Sequence, residues 1–167
     1  ENTMNLYLDI ESIPSQHPDA LAQVRASIKP PATLKKPESI AAWWASEADA
    51  AAQEAWRKQS LDGGTQGEIV SVAVTDGDGR EWVRCRAVGE SEAALLQELI
   101  DTVEGWTRDE FHKLAATTSA SSAFPMDDHR LIAHNAAFDI GYLWRRMVVH
   151  GLRIPRWLPG PMARSGS

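Results

Sequence analysis

Three acidic residues in two distant segments are the side chains of this sequence best suited to chemistry. Asp9 and Glu11 stand two apart at the end of the apolar run 6–10, and Asp139 follows a short apolar stretch near the other end. Residues two apart in a β-strand point to the same face of a sheet, so Asp9 and Glu11 would face one side together. Carboxylates without a cysteine pair or a histidine cluster favour a hard divalent cation over zinc. The pattern therefore predicts a hard-cation site suited to cleaving phosphate esters.

The segment before Asp139 adds further polar groups where a predicted strand meets a predicted helix. His134 and Asn135 come directly after the apolar residues 131–133, and Phe138 is an apolar residue just before the acid. Two such segments, each at a strand end, would meet if their strands were neighbours in one sheet. We therefore expect the two acidic segments to form one site.

Such a site would act through two cations about 3.5–4 Å apart, which activate a water and stabilise the leaving oxygen of a phosphoryl displacement. Asp9 suits a bridging position, and Glu11 and Asp139 suit terminal ones. Simpler roles stay open for each residue. Asp9 and Glu11 can form a surface pair at a strand end, Asp139 can cap its helix, and His134 can be a hydrogen-bonded structural residue.

Length and composition indicate one domain with a sizeable core, since the chain has 167 residues of which 43% are hydrophobic. Cys85 is the single cysteine, which excludes an internal disulfide and fits a reducing compartment. We expect it to be a small buried residue in a strand. No apolar run approaches the roughly 18 residues that cross a bilayer, so a cytoplasmic protein without a membrane span is expected.

The charge is unevenly distributed around a net value of −6. Residues 140–167 contain no acid and five cations, which are Arg145, Arg146, Arg153, Arg156 and Arg164. Residues 20–36 contain no acid and four cations, which are Arg25, Lys29, Lys35 and Lys36. Both blocks fit solvated faces, and both also fit contacts to a phosphodiester backbone.

The order of elements predicts an α/β domain with a mixed sheet. Strands are expected at residues 5–10, 68–75, 80–87 and 131–133, with a hairpin turn at 76–79. Helices are expected from Ser91 to Gly105 and from Asp139 to Gly151, and residues 115–123 are expected to form a mobile loop. The apolar face of the last helix is expected to consist of Ile140, Leu143, Trp144, Met147 and Val148. Residues 15–62 form a helical insertion after the first strand, whose tryptophans are expected in its core.

At this point the chain resembles a family, the DEDD-type 3′–5′ exonucleases of the ribonuclease H-like superfamily, which includes polymerase proofreading domains. Residues 9–11 (Asp-Ile-Glu) match the family's first motif, and residues 134–139 (His-Asn-Ala-Ala-Phe-Asp) match its second. Residues 140–143 and 67–74 are similar to the family's continuation of that motif and to its second strand. The nearest likeness is to predicted bacterial or phage exonucleases with a tryptophan-containing helical insertion.

The resemblance implies a ribonuclease H-like fold and two-metal hydrolysis of a DNA or RNA 3′ end, with Mg²⁺ or Mn²⁺ as cofactor. It assigns Asp9, Glu11 and Asp139 as metal ligands and catalytic residues, and Ile10, Ser12, His134, Asn135 and Phe138 as nucleotide contacts. The family's third motif, a Tyr or His four residues before a final Asp, has no counterpart, because no Asp or Glu follows Asp139.

Three explanations fit the lack of a third motif. The chain is a truncated fragment, a catalytically inactive relative, or one part of a site that another chain completes. The proline-rich stretch 155–161 favours truncation before a final strand and helix, so we expect weak metal binding and poor cleavage. Two other functions stay open, which are a non-catalytic module that binds nucleic acid or a polymerase partner, and a different metal-dependent nuclease on the same fold.

Overall fold

The computed structural model describes residues 3–117 and 129–161, which form an α/β protein with a four-stranded mixed sheet. The strands are β1 (Met4–Ile13), β2 (Glu68–Thr75), β3 (Glu81–Cys85) and β4 (His129–Ile132). The helices are α1 (Ala20–Ser27), α2 (Pro37–Ser46), α3 (Ala48–Lys58), α4 (Glu92–Thr117) and α5 (Ala136–Val149), with a 3₁₀ turn at Gln59–Leu61. None of the helices in these ranges combines the length and apolarity that a membrane span requires.

The strands are arranged in the order β3-β2-β1-β4. β2 and β3 form an antiparallel hairpin, as their sequence predicts. β4 pairs with β1 in parallel, from Met4 opposite His129 to Tyr7 opposite Ile132. A parallel pair requires a long crossover, and here the hairpin and α4 provide it. The first acidic segment therefore lies within β1, and the second follows its parallel neighbour β4.

The core lies on one face of this sheet. Leu6, Leu8 and Ile10 alternate with exposed residues along β1 and pack against apolar side chains of α4 and α5. From α4 come Leu95, Leu96, Leu99, Ile100 and Val103, and from α5 come Tyr142, Leu143 and Met147. The period of two in the strand and the stripe on each helix account for this arrangement.

The chain divides into two compact units, one of residues 1–11 with 69–167 and one of residues 12–68. The second unit contains α1, α2 and α3, and the predicted insertion 15–62 lies within it. Trp43 is buried there, and the Trp56 indole donates a hydrogen bond to the Ser15 carbonyl at 3.0 Å. The expectation that the tryptophans lie in the core of the insertion is confirmed for Trp43.

The predicted end of the fourth helix is wrong, because α4 passes through Gly105 and continues to Thr117. Gly105 keeps a negative φ, and Trp106 next to it packs against the core. Packing therefore outweighs the roughly 1 kcal/mol that glycine costs inside a helix. The loop predicted at 115–123 begins inside this helix, and its remainder lies outside the described residues.

Two further expectations about burial are wrong. Cys85 is exposed, because it shares the outward face of β3 with Val83. Val148 was expected on the apolar face of the last helix, but it is exposed, and the buried face of α5 includes Arg146 instead. A hydropathy pattern does not predict a buried cation, since the partner that neutralises it is distant in sequence.

Candidate functional site

β1 presents its two acids on the face opposite the core. Asp9 and Glu11 are exposed, and Ile10 between them is buried among core residues. The alternation of β1 therefore aligns Asp9 and Glu11 as the sequence predicted.

β4 and the turn after it bring the second acidic segment to the same end of β1. β4 ends at Ile132, opposite Tyr7, and His134 just beyond it lines the same groove as Asp9. His134 and Asn135 form the turn into α5, where the Asn135 carbonyl accepts hydrogen bonds from the backbone N–H groups of Phe138 at 2.8 Å and Asp139 at 3.1 Å. This turn directs the first turn of α5, with Asp139, back toward β1.

Asp139 is the most unusual acid of the site, because its side chain is only 5% exposed. Its carboxylate accepts hydrogen bonds from the backbone N–H groups of Ile10 and Asn135. Burial raises the pKa of Asp139, and the nearby negative charge of Asp9 raises it further, against the effect of those hydrogen bonds. The fold thus places Asp9 and Asp139, which are 130 positions apart in sequence, near enough for their charges to influence each other.

The third predicted ligand is less closely involved. Glu11 lies on the same strand face as Asp9 but is exposed. Within residues 3–117 and 129–161, no group of three or more His, Cys, Asp or Glu side chains is arranged to hold a metal ion. The structure thus brings two of the three acids together, and a site that includes Glu11 stays a prediction.

The five residues predicted to contact the nucleotide differ in how accessible they are. Ile10 is buried in the core, and Phe138 packs against Tyr142 with ring centroids 5.3 Å apart. The Ser12 hydroxyl donates a hydrogen bond to the Ser60 carbonyl at 2.6 Å within the second unit. His134 and Asn135 are exposed at the strand end. The last two are therefore the most accessible of the five.

Sequence analysis missed a groove on the outer face of the sheet, next to Asp9. The groove has a volume of about 420 Å³. Its side chains include Tyr7, Asp9, Ala73, Val83, Ile132 and His134. The signal was available, since Tyr7 stands two residues before Asp9 and therefore shares its face.

Sequence analysis also missed a buried ionic cluster at the start of α4. Glu92 accepts hydrogen bonds from the Arg146 guanidinium, from the His150 ring Nε2 at 2.7 Å and from the Ile69 backbone N–H at 2.6 Å. Burial alone would raise the pKa of Glu92, but these donors outweigh it and lower the pKa. The cluster ties α4, α5 and β2 together at a distance from Asp139 along α5.

The basic blocks are partly neutralised inside the protein. Arg146 pairs with buried Glu92 at 2.6 Å, and Arg153 pairs with Glu104 at 2.6 Å. In the other block, Arg25 pairs with Asp49 and its guanidinium lies over the Trp44 ring. These cations therefore have structural partners, while Arg164 lies outside the described residues.

Comparisons of this chain with protein-family models, with curated proteins and with solved structures find no match. The argument for function therefore depends on the residues and geometry described above.

Proposed function

We propose that this protein is a metal-dependent 3′–5′ exonuclease that works in the cytoplasm and hydrolyses the terminal phosphodiester bond of DNA or RNA. The observation that carries the proposal is that the Asp139 carboxylate, which accepts a hydrogen bond from Ile10 N–H of β1, lies near enough to Asp9 for the charge of Asp9 to raise its pKa. Binding sites in α/β sheets form at the carboxyl ends of strands, where loops after adjacent strands converge.

The two carboxylates fit a divalent cation. Asp139 is held close to Asp9 although both are acids, and a cation between like charges removes their repulsion. Oxygen-only ligands suit Mg²⁺ or Mn²⁺. Asp9 and Asp139 would hold the cation, with Glu11 joining from the same strand face.

The residues around the cation would have distinct tasks. The cation would supply Lewis-acid stabilisation of charge on the phosphate oxygens. The Ile10 and Asn135 N–H groups orient the Asp139 carboxylate, and His134 lies where it can donate a hydrogen bond to the substrate. For these 167 residues, in which no acid follows Asp139, we propose weak metal binding and slow cleavage.

The topology supports the same proposal. A mixed sheet in the order β3-β2-β1-β4, with β4 parallel to β1, is compatible with a ribonuclease H-like fold. The motif at residues 9–11 lies in β1, and the motif at residues 134–139 follows β4, the parallel neighbour of β1 at the edge of the sheet. We therefore propose this fold together with the activity.

Thermal melting with and without metal tests the cation site. We expect the Tm of the wild-type protein to be higher in Mn²⁺ than in EDTA, since a ligand at 100 times its Kd stabilises by about 2.7 kcal/mol. Asp139→Asn and Asp9→Asn should lose this increase. Asp109→Asn, which removes an exposed acid of α4, should keep it. An equal Mn²⁺-induced rise in Tm in all four proteins would contradict a cation site at Asp9 and Asp139.

Cleavage assays test the reaction itself. With Mn²⁺, a 5′-labelled single-stranded oligonucleotide should shorten stepwise from its 3′ end, slowly, and Asp139→Asn should stop this. Cutting of circular single strands would instead indicate an endonuclease. Binding of DNA that is equally tight in EDTA and in Asp9→Ala, without cleavage, would indicate a non-catalytic module.

A further inference from the structure

We propose that the buried Glu92–Arg146 pair positions the Asp139 carboxylate for cation binding, so that Glu92 and Arg146 are positioning residues of the site. This inference rests on the proposed function, because it concerns what holds a proposed cation ligand in place. Asp139 and Arg146 are both buried on α5 and are seven residues apart. Seven residues make about two helical turns, so both side chains lie on the same face of the helix.

The buried face of α5 is fixed at two points by hydrogen bonds to other elements. Near the start of the helix, the Asp139 carboxylate accepts a hydrogen bond from Ile10 N–H of β1. Two turns later, the Arg146 guanidinium donates to the Glu92 carboxylate of α4 through Nε at 3.0 Å and through Nη2 at 2.6 Å. Leu143, which lies between these points, is fully buried in the core. α5 thus has one polar anchor on each side of an apolar contact.

Glu92 is in turn fixed to the sheet. Its Oε1 accepts a hydrogen bond from the Ile69 backbone N–H of β2 at 2.6 Å, and its Oε2 lies 2.7 Å from the His150 ring Nε2. β2 is the neighbour of β1 in the sheet. Polar contacts therefore run from β2 through Glu92 and Arg146 to α5, and from α5 through Asp139 to β1.

Directional contacts of this kind determine where Asp139 lies along its helix axis. Apolar packing is non-directional, so it resists a small shift of α5 less sharply than a two-point ion pair does. A shift by one residue moves a helix by about 1.5 Å, which would take the Asp139 carboxylate out of hydrogen-bond range of Ile10 N–H. Metal ligands typically lose about 10–100-fold in affinity when the groups that orient them are removed. We therefore expect the Glu92–Arg146 pair to determine the affinity of the site for a cation.

Replacing the pair by neutral side chains of similar size tests the proposal. Glu92→Gln with Arg146→Met keeps an acceptor for Ile69 N–H and removes both charges, and such replacements often preserve stability. The Mn²⁺ Kd of this double variant, measured from the electron paramagnetic resonance signal of free Mn²⁺, should be about tenfold higher than that of the wild type. Glu104→Gln with Arg153→Met is the matched control, because it removes an ion pair nearer the surface that also joins α4 to the chain after Asp139. The control should keep the wild-type Kd.

Amide hydrogen exchange in EDTA gives a second measurement that needs no metal. In the Glu92→Gln/Arg146→Met variant, the Ile10 N–H should exchange about tenfold faster relative to the Leu6 N–H than in the wild type, because its acceptor is displaced. Arg146→Lys keeps the charge but loses the two-point contact, so it should show smaller changes in both measurements. Arg146→Lys also decides the question if the double variant does not fold.

The positioning role and the cation site fail in different ways. A pair that only stabilises the fold would lower the Tm but leave the Mn²⁺ Kd or the exchange ratio at its wild-type value. Either result, together with wild-type Mn²⁺ binding that Asp139→Asn abolishes, would overturn the positioning role and leave the cation site in place. Mn²⁺ binding that Asp139→Asn does not weaken would contradict the cation site and, with it, this proposal.

Discussion

Asp139 is placed where its own ionisation is disfavoured. An acid at a helix N-terminus usually gains from the helix dipole and from the free N–H groups there. Here the Ile10 and Asn135 N–H groups provide such hydrogen bonds, yet burial and Asp9 still raise its pKa. This cost in stability is typical of positions maintained for binding rather than for folding.

The first prediction follows from this cost. In EDTA at pH 7, Asp139→Asn should raise the free energy of unfolding by about 1 kcal/mol, because the amide oxygen can still accept from Ile10 while the repulsion by Asp9 is removed. Thermal melting measures this as a Tm increase of roughly 2–4 °C. A Tm below that of the wild type would show that the ionised carboxylate stabilises the fold and would remove the argument for strain.

Among the elements, α4 shows how packing overrides a local signal. Gly105 resembles a helix end, yet the helix continues for another three turns, and Trp106 directly after Gly105 packs against the core. The position has a negative φ, and a Cβ atom there would have no neighbour within 4 Å. Among residues 3–117 and 129–161, nothing requires glycine at this site.

We therefore predict that Gly105→Ala stabilises the protein by about 0.5–1 kcal/mol, since alanine restricts the unfolded chain without strain in the helix. Urea denaturation measures the change. Gly77→Ala is the matched contrast and should destabilise, because Gly77 has a φ of 79° and Tyr7 lies 3.0 Å from the new Cβ position. Destabilisation by Gly105→Ala would indicate that α4 is not continuous in solution.

At the scale of the whole molecule, stability in the first unit depends on buried acids with opposite responses to pH. Glu92 and Asp76 are buried, and in each case burial alone would raise the pKa but hydrogen bonds from arginine and backbone N–H groups lower it overall. They favour the folded state above their ordinary pKa of about 4, and this contribution is lost as the pH falls through their folded pKa values. Asp139 responds in the reverse direction, since its contribution is lost as the pH rises.

The lowered pKa values of Glu92 and Asp76 act against the raised pKa of Asp139. We therefore predict that the free energy of unfolding decreases from pH 7 to pH 3. Glu92→Gln should cost about 3–5 kcal/mol at pH 7, where it leaves buried Arg146 without its anion. It should also reduce the pH dependence, because the group that titrates is gone. Urea denaturation between pH 3 and pH 7 measures both effects, and an unchanged slope in Glu92→Gln would contradict the assignment.

The central strands and the two motifs could be predicted from sequence because they depend on short-range patterns. Apolar and polar residues alternate along β1, and apolar residues form stripes on α4 and α5, because one face of each element is buried. The proximity of Asp9 and Asp139 followed from topology, since one segment lies in β1 and the other follows its parallel neighbour β4. The Glu92–Arg146 pair and the exposure of Cys85 could not be predicted, because they depend on which distant side chain or sheet face each residue meets.

The different lengths of β1 and β4 have a consequence for how the site is built. β4 pairs only with residues 4–7 of β1, so the next main-chain donor on that side, Ile10 N–H, is met by the Asp139 carboxylate. One side chain thus takes the place of a missing strand partner while also facing Asp9. Any ligand that draws this carboxylate away would remove the hydrogen-bond acceptor of the Ile10 N–H group. Ligand binding at Asp139 and the order of the adjacent part of β1 are therefore coupled through a single hydrogen bond.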